Sequence, residues 1–182
     1  MISCEVRNIP DKVSWFKDTN TSLPKLRVLD LRHNLWFGNH SIMAMCKIQE
    51  LEELNLRGCV RMGECFAYTA LATRFGFLEL KRVDLRDTFT SNADVPCWGR
   101  LSKLTHLWLG KTAADVELTR PPSCEGDGKV SDRGLLSLCV FGSDPNTPVH
   151  IEHLVLAHTE VRNLLYFIFN SFTFTMYVFH SF

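Results

Sequence analysis

The chain has 182 residues, 46% apolar and 22% charged, which is enough apolar material for a core and too little polarity for disorder. Its 20 basic and 20 acidic side chains cancel, which excludes the overall positive field that nonspecific binding to nucleic acid or an anionic membrane needs. The 7 cysteines are an odd number and include no C-x-x-C pair, so we expect reduced thiols and a cytoplasmic or nuclear protein.

One short pattern recurs, with apolar residues at its first, fourth and sixth positions and a small or polar residue at its ninth. It occurs as LRVLDLRHN from Leu26, LEELNLRGC from Leu51, LKRVDLRDT from Leu80, LTHLWLGKT from Leu104 and IEHLVLAHT from Ile151. The starts lie 25, 29, 24 and 47 residues apart. All but the last of these spacings fit the period of about 20–29 residues that is typical of leucine-rich repeats.

The pattern predicts a strand in each unit, because positions four and six are two residues apart and point to the same side of an extended chain. Stacked copies would bury that side in a parallel sheet backed by helices. We therefore predict an α/β fold, a leucine-rich-repeat solenoid of five to six repeats with a curved parallel sheet. Its test is whether the fourth positions lie side by side in the interior; they are Leu29, Leu54, Val83, Leu107 and Leu154.

A weaker match at the amino terminus has Met1, Cys4, Val6 and Ile9 in the same register, 25 residues before Leu26. The ninth residues of the five strong units should fill the turn that leaves each strand; they are Asn34, Cys59, Thr88, Thr112 and Thr159. Because no polar end cap is evident at either end, we expect a truncated piece of a longer repeat protein.

The segments between the strands predict backing helices over Ile42–Ile48 and Glu64–Phe75. In the second helix, we expect an apolar face formed by Phe66, Ala70, Leu71 and Phe75. Ala113–Val130 contains Pro121, Pro122, Gly126 and Gly128 and is typical of a flexible insertion. Ser131 and Asp132 can cap a further helix that runs through Leu135 to Val140.

These elements predict a repeat domain over residues 1–160, followed by a divergent hydrophobic segment over 161–182. Residues 163–182 contain no Asp, Glu, Lys or Arg. Three interpretations stay open for this end of the chain. The first is a tail anchor over Leu164–Phe182, and the second is a sixth repeat with Phe169, Phe172 and Phe174 in the strand register. The third is a divergent end that replaces the regular repeats.

The strand residues that point away from the core form a common surface, here called the open face, on the concave side of the predicted solenoid. Residues from successive strands stack into columns on this face, and neighbours within a column should lie about 5 Å apart. The first column is Arg7, Arg32, Arg57, Arg86, Gly110 and Ala157, and the second is Glu5, Asp30, Asn55, Asp84, Trp108 and Val155. The third column is Ser3, Val28, Glu53, Arg82, His106 and His153.

Two interpretations fit the ladder of arginines beside mostly acidic residues. The arginines pair with neighbouring carboxylates, or they form a partly unpaired strip that binds an acidic or phosphorylated segment. Trp108 is the residue type that anchors interfaces, unless the adjacent insertion covers it. The candidate partner-binding residues are Arg32, Arg57, Arg86, Asp30, Asp84, His106, Trp108, His153 and Val155.

No catalytic signature is present: the sequence has no G-x-G-x-x-G, G-x-x-x-x-G-K-[ST], G-x-S-x-G or H-E-x-x-H. The repeat register separates His150, His153 and His158, which argues against a metal site. We expect Cys46, Cys59, Cys65 and Cys139 to fill the core. The sequence thus predicts a protein that is not an enzyme and uses no cofactor.

LEELNLRGC, ending in Cys59, and SDRGLLSLC, from Ser131 to Cys139, resemble the cysteine-containing leucine-rich repeats of F-box substrate receptors. Asn34, Thr88, Thr112 and Thr159 depart from the cysteine expected at the ninth position, and no F-box segment precedes the repeats. The resemblance implies a surface that recognises a protein substrate for a ubiquitin ligase, with a ligase adaptor bound only if the parent protein carries an F-box. The alternatives are a scaffold or assembly factor like the mitochondrial relatives of these repeats and a tail-anchored adaptor.

Overall fold

The computed structural model describes residues 2–5, 25–113, 116–122, 124–141, 151–162 and 175–179, and it describes side chains for 25–113, 116–122, 124–138 and 151–162. From Leu26 to Ala157, strands alternate with helices. The strands are β1 (Ile2–Glu5), β2 (Leu26–Asp30), β3 (Glu53–Asn55), β4 (Arg82–Asp84), β5 (His106–Gly110), β6 (His153–Ala157) and β7 (Thr175–Phe179). The helices are α1 (Asn39–Met45), α2 (Phe66–Phe75), α3 (Val95–Gly99) and α4 (Asp132–Phe141).

The seven strands form one sheet in chain order, and every neighbouring pair is parallel. The predicted interior ladder is present in the pairing: Leu29, Leu54, Val83, Leu107 and Leu154 lie opposite one another in successive strands. Each of these side chains is at most 2% exposed. The fold is therefore α/β with a parallel sheet and alternating helices, consistent with a short solenoid of the leucine-rich-repeat type.

The core lies between the sheet and the helices. The sixth positions of the strong units, Leu31, Leu56, Leu85, Leu109 and Leu156, are also buried. Each helix contributes side chains to the same apolar cluster, among them Ile42, Met45, Ala72, Trp98 and Leu135. A strand with one apolar face cannot bury that face alone, so each unit depends on its neighbours for its share of this core.

The turn that leaves each strand repeats in its backbone as well as in its sequence. The eighth residues of four units have left-handed backbone angles; they are His33, Gly58, Asp87 and His158. At the ninth position, Asn34 Nδ2 donates to the main-chain oxygen of Leu31 at 2.8 Å, and Thr88 Oγ1 donates to that of Leu85 at 2.7 Å. Cys59 Sγ donates to the main-chain oxygen of Leu31 in the preceding unit at 3.1 Å. In these three units the contacts confirm the structural role predicted for the ninth position, whereas Thr112 Oγ1 donates to the side chain of Asp87 instead.

The orientation predicted for α2 is wrong. Phe66, Leu71 and Phe75 are 47%, 43% and 70% exposed, whereas Thr69, Ala72 and Thr73 face the interior. The helix is packed between α1 and α3, and small side chains let these helices approach closely. Thr69 Oγ1 accepts a hydrogen bond of 2.6 Å from Asn39 Nδ2, which fixes this face of α2 against α1.

Helix boundaries also differ from the sequence prediction. Helix α1 starts at Asn39, three residues before the predicted start at Ile42, although Ile48 beyond its end is still buried. The sequence did not predict α3, a single short turn that begins with Val95 and Pro96 and buries Trp98 completely.

The insertion predicted to be flexible has no helix or strand in its described residues, and its second half packs on the body of the protein. Cys124 and Val130 are buried. The Gly126 N–H donates to the main-chain oxygen of Gly63 at 2.8 Å. A Cβ at Gly126 would lie 2.2 Å from the main-chain oxygen of Phe89, so only glycine fits this close approach.

Part of the carboxyl-terminal segment forms one more repeat strand, β7, in which Met176 lies opposite Leu154. The predicted register with Phe169, Phe172 and Phe174 is therefore wrong, and those three residues lie outside the described part of the chain. At the other end, β1 confirms the weaker match, since Cys4 lies opposite Leu29. No helix within the described residues is long and apolar enough to cross a membrane.

Candidate functional site

The open face contains the side chains that the sequence assigned to it. Strand pairing aligns Val28, Glu53, Arg82, His106 and His153 in one column. It aligns Asp30, Asn55, Asp84, Trp108 and Val155 in the next. Except for Asp84, these residues are half-buried or exposed, in contrast to the buried leucines between them.

Two arginines of this face pair with an acid on their own strand. Arg32 Nε lies 2.8 Å from Asp30 Oδ2, and Arg86 Nε donates to Asp84 Oδ1 at 3.0 Å. The hydrogen bond with Asp84 raises the pKa of Arg86. Each carboxylate also accepts a hydrogen bond of 3.1 Å from the main-chain N–H of its arginine partner. The acid at the fifth position of these two units therefore binds both the main-chain N–H and the guanidinium group of the arginine at the seventh position.

The third arginine crosses to a different unit because its own strand has Asn55 in place of an acid. Arg57 Nε donates to Asp87 Oδ2 at 3.2 Å. Asp87 is buried and also accepts hydrogen bonds of 2.8 Å from the main-chain N–H and from Oγ1 of Thr112. The Asp87 carboxylate therefore links its own unit to the preceding and the following unit.

Arg82 in the third column is also paired with an acid, since its Nη1 donates to Glu53 Oε1 at 2.9 Å. Arg82 of β4 and the arginines that follow β2, β3 and β4 thus compensate neighbouring acids, as the first of the two interpretations predicts. An anionic partner would have to compete with carboxylates that already occupy these guanidinium groups.

A cluster of three rings occupies β5 and β6. The ring centres of His106 and His153 are 4.3 Å apart, and those of His106 and Trp108 are 5.7 Å apart, both in stacked orientation. His106 Nδ1 lies 2.8 Å from Thr105 Oγ1. Burial, the charge of His153 and then that of Arg82 lower the pKa of His106. At neutral pH the His106 ring is therefore uncharged.

Next to this cluster, the open face contains a groove of about 320 Å³. It crosses β2 to β5 and is lined by Val28, Leu29, Asp30, Glu53, Leu54, Asn55, Arg82, Asp84, Arg86 and Trp108. None of the described residues of the insertion lines the groove, so this part of the insertion does not cover Trp108. The groove combines one large aromatic side chain with several paired charges.

The predicted site residues are not all in one place. Asp30, Asp84, Arg86 and Trp108 line the groove. Arg32 and Arg57 flank it through their ion pairs, and His106 and His153 extend it as the stacked pair. Val155 lies opposite Trp108 on β6.

Besides the interior leucines Leu29 and Leu54, four lining residues were absent from the predicted site: Val28, Glu53, Asn55 and Arg82. Their column positions already assigned them to this face. The sequence does not show how far the groove extends across the neighbouring strands.

The cysteines of the described part are mostly interior. Burial raises the pKa of the Cys59 thiol to about 12 and that of Cys97 to about 11, so neither provides a thiolate near neutral pH. Cys46 is buried as predicted, whereas Cys65 is only half-buried because it precedes the first turn of α2. The side chain of Cys139 and all of His150 lie outside the described part. Within that part, no three His, Cys, Asp or Glu side chains form a group that could hold a metal ion.

Comparison of the sequence with models of known protein families finds no match, and comparison with curated proteins finds none either. The class of the protein therefore rests on its architecture, a parallel α/β repeat array with several buried cysteines and an open sheet face.

Proposed function

We propose that the chain is a non-catalytic protein-interaction module, and that a segment of a partner protein binds in the groove of the open face with Trp108 as its main contact. The observation that carries this proposal is the position of Trp108, a large half-buried ring at the edge of a groove that crosses four strands. Tryptophan is strongly enriched among the residues that dominate interface energies.

The dimensions of the groove suit an extended peptide. Three strand spacings of about 4.8 Å separate β2 from β5, which gives a path of about 14 Å. An extended chain advances about 3.3 Å per residue, so about four residues span this path. The neighbouring ion pairs supply both hydrogen-bond donors and acceptors along it, and Trp108 supplies apolar contact at one end.

Such a partner segment would be recognised mainly through apolar contact and neutral hydrogen bonds. An acidic or phosphorylated segment, the other possibility for the arginine ladder, has to displace Asp30 or Asp84 from its arginine. A phosphorylated and an unphosphorylated version of one binding peptide distinguish the two: similar affinity supports contact through Trp108, and a large gain on phosphorylation supports exchange at the arginines.

The finer form of the proposal is recognition of a substrate for an F-box-type ubiquitin ligase. It is supported by the resemblance of the Cys59 unit and of Ser131–Cys139 to the repeats of such receptors. Co-purification of the full-length parent with a ligase adaptor tests it, and a parent transcript without an F-box would end it.

Two alternatives have their own tests. An Arg- and Ser-rich, acid-poor transit segment in the parent favours a mitochondrial scaffold or assembly factor. Carbonate-resistant membrane association favours a tail-anchored adaptor.

The experiment for the module itself selects peptides from a displayed library on the wild-type chain and measures their affinity for Trp108→Ala. We expect affinity to fall about 30-fold, as for a central interface residue, with little change in melting temperature. Leu35→Ala is the matched control, because Leu35 is an exposed apolar residue that does not line the groove. Unchanged peptide affinity would refute the proposal, and a large fall in melting temperature would show that Trp108 is part of the core.

A further inference from the structure

Exposed apolar side chains also lie on the helical side of the sheet, away from the open face. At the end of α2, Phe75 is 70% exposed and Leu78, three residues further on, is 67% exposed. Leu71, one turn before Phe75, is 43% exposed. Single exposed apolar residues are ordinary, but a contiguous group of this kind is typical of an interaction site.

Phe75 and Leu78 border a shallow depression of about 270 Å³, whose other lining residues are Cys46, Lys47, Gln49 and Gly76. It lies where the ends of α1 and α2 meet, and the Phe77 N–H donates to the main-chain oxygen of Cys46 at 2.9 Å there. Small-molecule sites usually occupy about 300–1,000 Å³. This depression is close to the lower end of that range, and it is large enough for one or two inserted side chains.

The charges around the depression are positive. Lys47 lines it, and Arg74 lies over the Phe75 ring with its Cζ 5.4 Å from the ring centre. Neither cation has a carboxylate partner among the described residues. The acids nearby in sequence are already paired: Glu50 with Arg27, and Glu79 with Lys103. The site therefore offers apolar contact together with two cations that form no ion pair with a carboxylate of the described residues.

We propose that Phe75, Leu78, Lys47 and Arg74 form a second docking site for an amphipathic segment of a partner protein that carries carboxylates next to its apolar side chains. The partner's apolar residues pack on Phe75 and Leu78, and its carboxylates pair with Lys47 and Arg74. The two cations argue for an acidic segment, since a basic or neutral one leaves both without a partner. This site is on the opposite side of the sheet from the groove and does not depend on the function proposed there.

The test selects peptides from a displayed library on the full chain and measures the affinities of purified peptides by fluorescence polarisation. We expect a class of peptides rich in Asp, Glu and large apolar residues whose affinity falls about 30-fold on Phe75→Asp. Lys47→Glu should weaken the same class about 5-fold, as expected for a charge at the rim of an interface. Trp108→Ala should leave this class unchanged, which separates the two sites.

Leu35→Asp is the matched control, because Leu35 is 66% exposed and does not line the depression. Unchanged melting temperatures for Phe75→Asp and Leu35→Asp show that the comparison concerns binding. The proposal is overturned if no peptide class responds to Phe75→Asp, or if the responding class is basic. Two further results also overturn it: loss of self-association in sedimentation velocity on Phe75→Asp identifies a second copy as the occupant, and loss of binding to phosphatidylserine vesicles identifies a lipid surface.

Discussion

Leu54→Ala tests the interior ladder on which the fold depends. Leu54 is at the centre of β3, lies between Leu29 and Val83, and is 2% exposed. Shortening a buried leucine to alanine costs about 2–5 kcal/mol, depending on how far the surroundings relax. Strands held on both sides by backbone hydrogen bonds can move little into the space, so we expect about 3 kcal/mol or more. For a chain of this size, that corresponds to a fall of about 6–12 °C in melting temperature.

The control is the preceding residue, whose side chain points to the open face. Glu53 pairs with Arg82 at 2.9 Å, and these side chains are 36% and 50% exposed. Exposed pairs contribute under about 1 kcal/mol, so Glu53→Ala should change stability little. Urea unfolding followed by circular dichroism measures both variants. A Leu54→Ala chain as stable as wild type, or two variants with equal losses, would refute the assigned register.

Three further predictions concern single side chains. Asp87→Ala should lower the free energy of unfolding by about 2–3 kcal/mol, because it leaves Arg57 without its carboxylate and removes two hydrogen bonds from the next unit. Urea unfolding measures this loss. A loss under about 0.5 kcal/mol, as for a neutral surface change, would contradict the prediction. In native protein at pH 8, alkylation mapped by mass spectrometry should modify Cys65 before Cys59, whose pKa burial raises to about 12; equal rates would contradict the burial. The pKa of His106 is lowered from 6.5 in the folded chain, so the unfolded chain binds its proton more readily and stability should fall as pH decreases through 6.5. His106→Leu should flatten this slope in unfolding experiments between pH 5 and 8, and an unchanged slope would argue against it.

The strand register was predictable because two independent signals agree on it. The alternation of apolar residues fixes which side of each strand is buried, and the repeat fixes which residues of different strands correspond. A slip of one residue would turn Leu29 and Leu54 toward the open face. The same logic located β1, where Cys4 lies opposite Leu29.

The orientation of α2 was not predictable from periodicity. A stripe of large apolar residues and a stripe of small ones both recur at helical spacing, and the hydrophobic rule selects the first. Here, close packing between α1 and α3 selects the second, and Thr69 accepts a hydrogen bond from Asn39 in the preceding unit. That contact joins residues 30 positions apart, and the helical pattern of α2 alone does not contain it.

The open face was predictable as a set of residues but not as a set of contacts. Arg32 and Arg86 pair within their strands, whereas Arg57 reaches across to Asp87 because Asn55 offers it no charge. The groove beside Trp108 depends on where these side chains end, which alternation alone does not determine. The sequence therefore gives the columns of the surface, and the structure adds the shape between them.

The paired arginines limit what can bind at the open face. A carboxylate that takes Arg86 from Asp84 forms one ion pair and breaks another, and it leaves the buried Asp84 without its partner. Breaking such a pair costs up to about 3–5 kcal/mol when the remaining charge is buried, so the exchange has little net gain. Apolar contact with Trp108 breaks no existing interaction. Binding energy at the open face would therefore come mainly from apolar contact with Trp108. The surrounding paired charges would orient the partner but add little to its affinity.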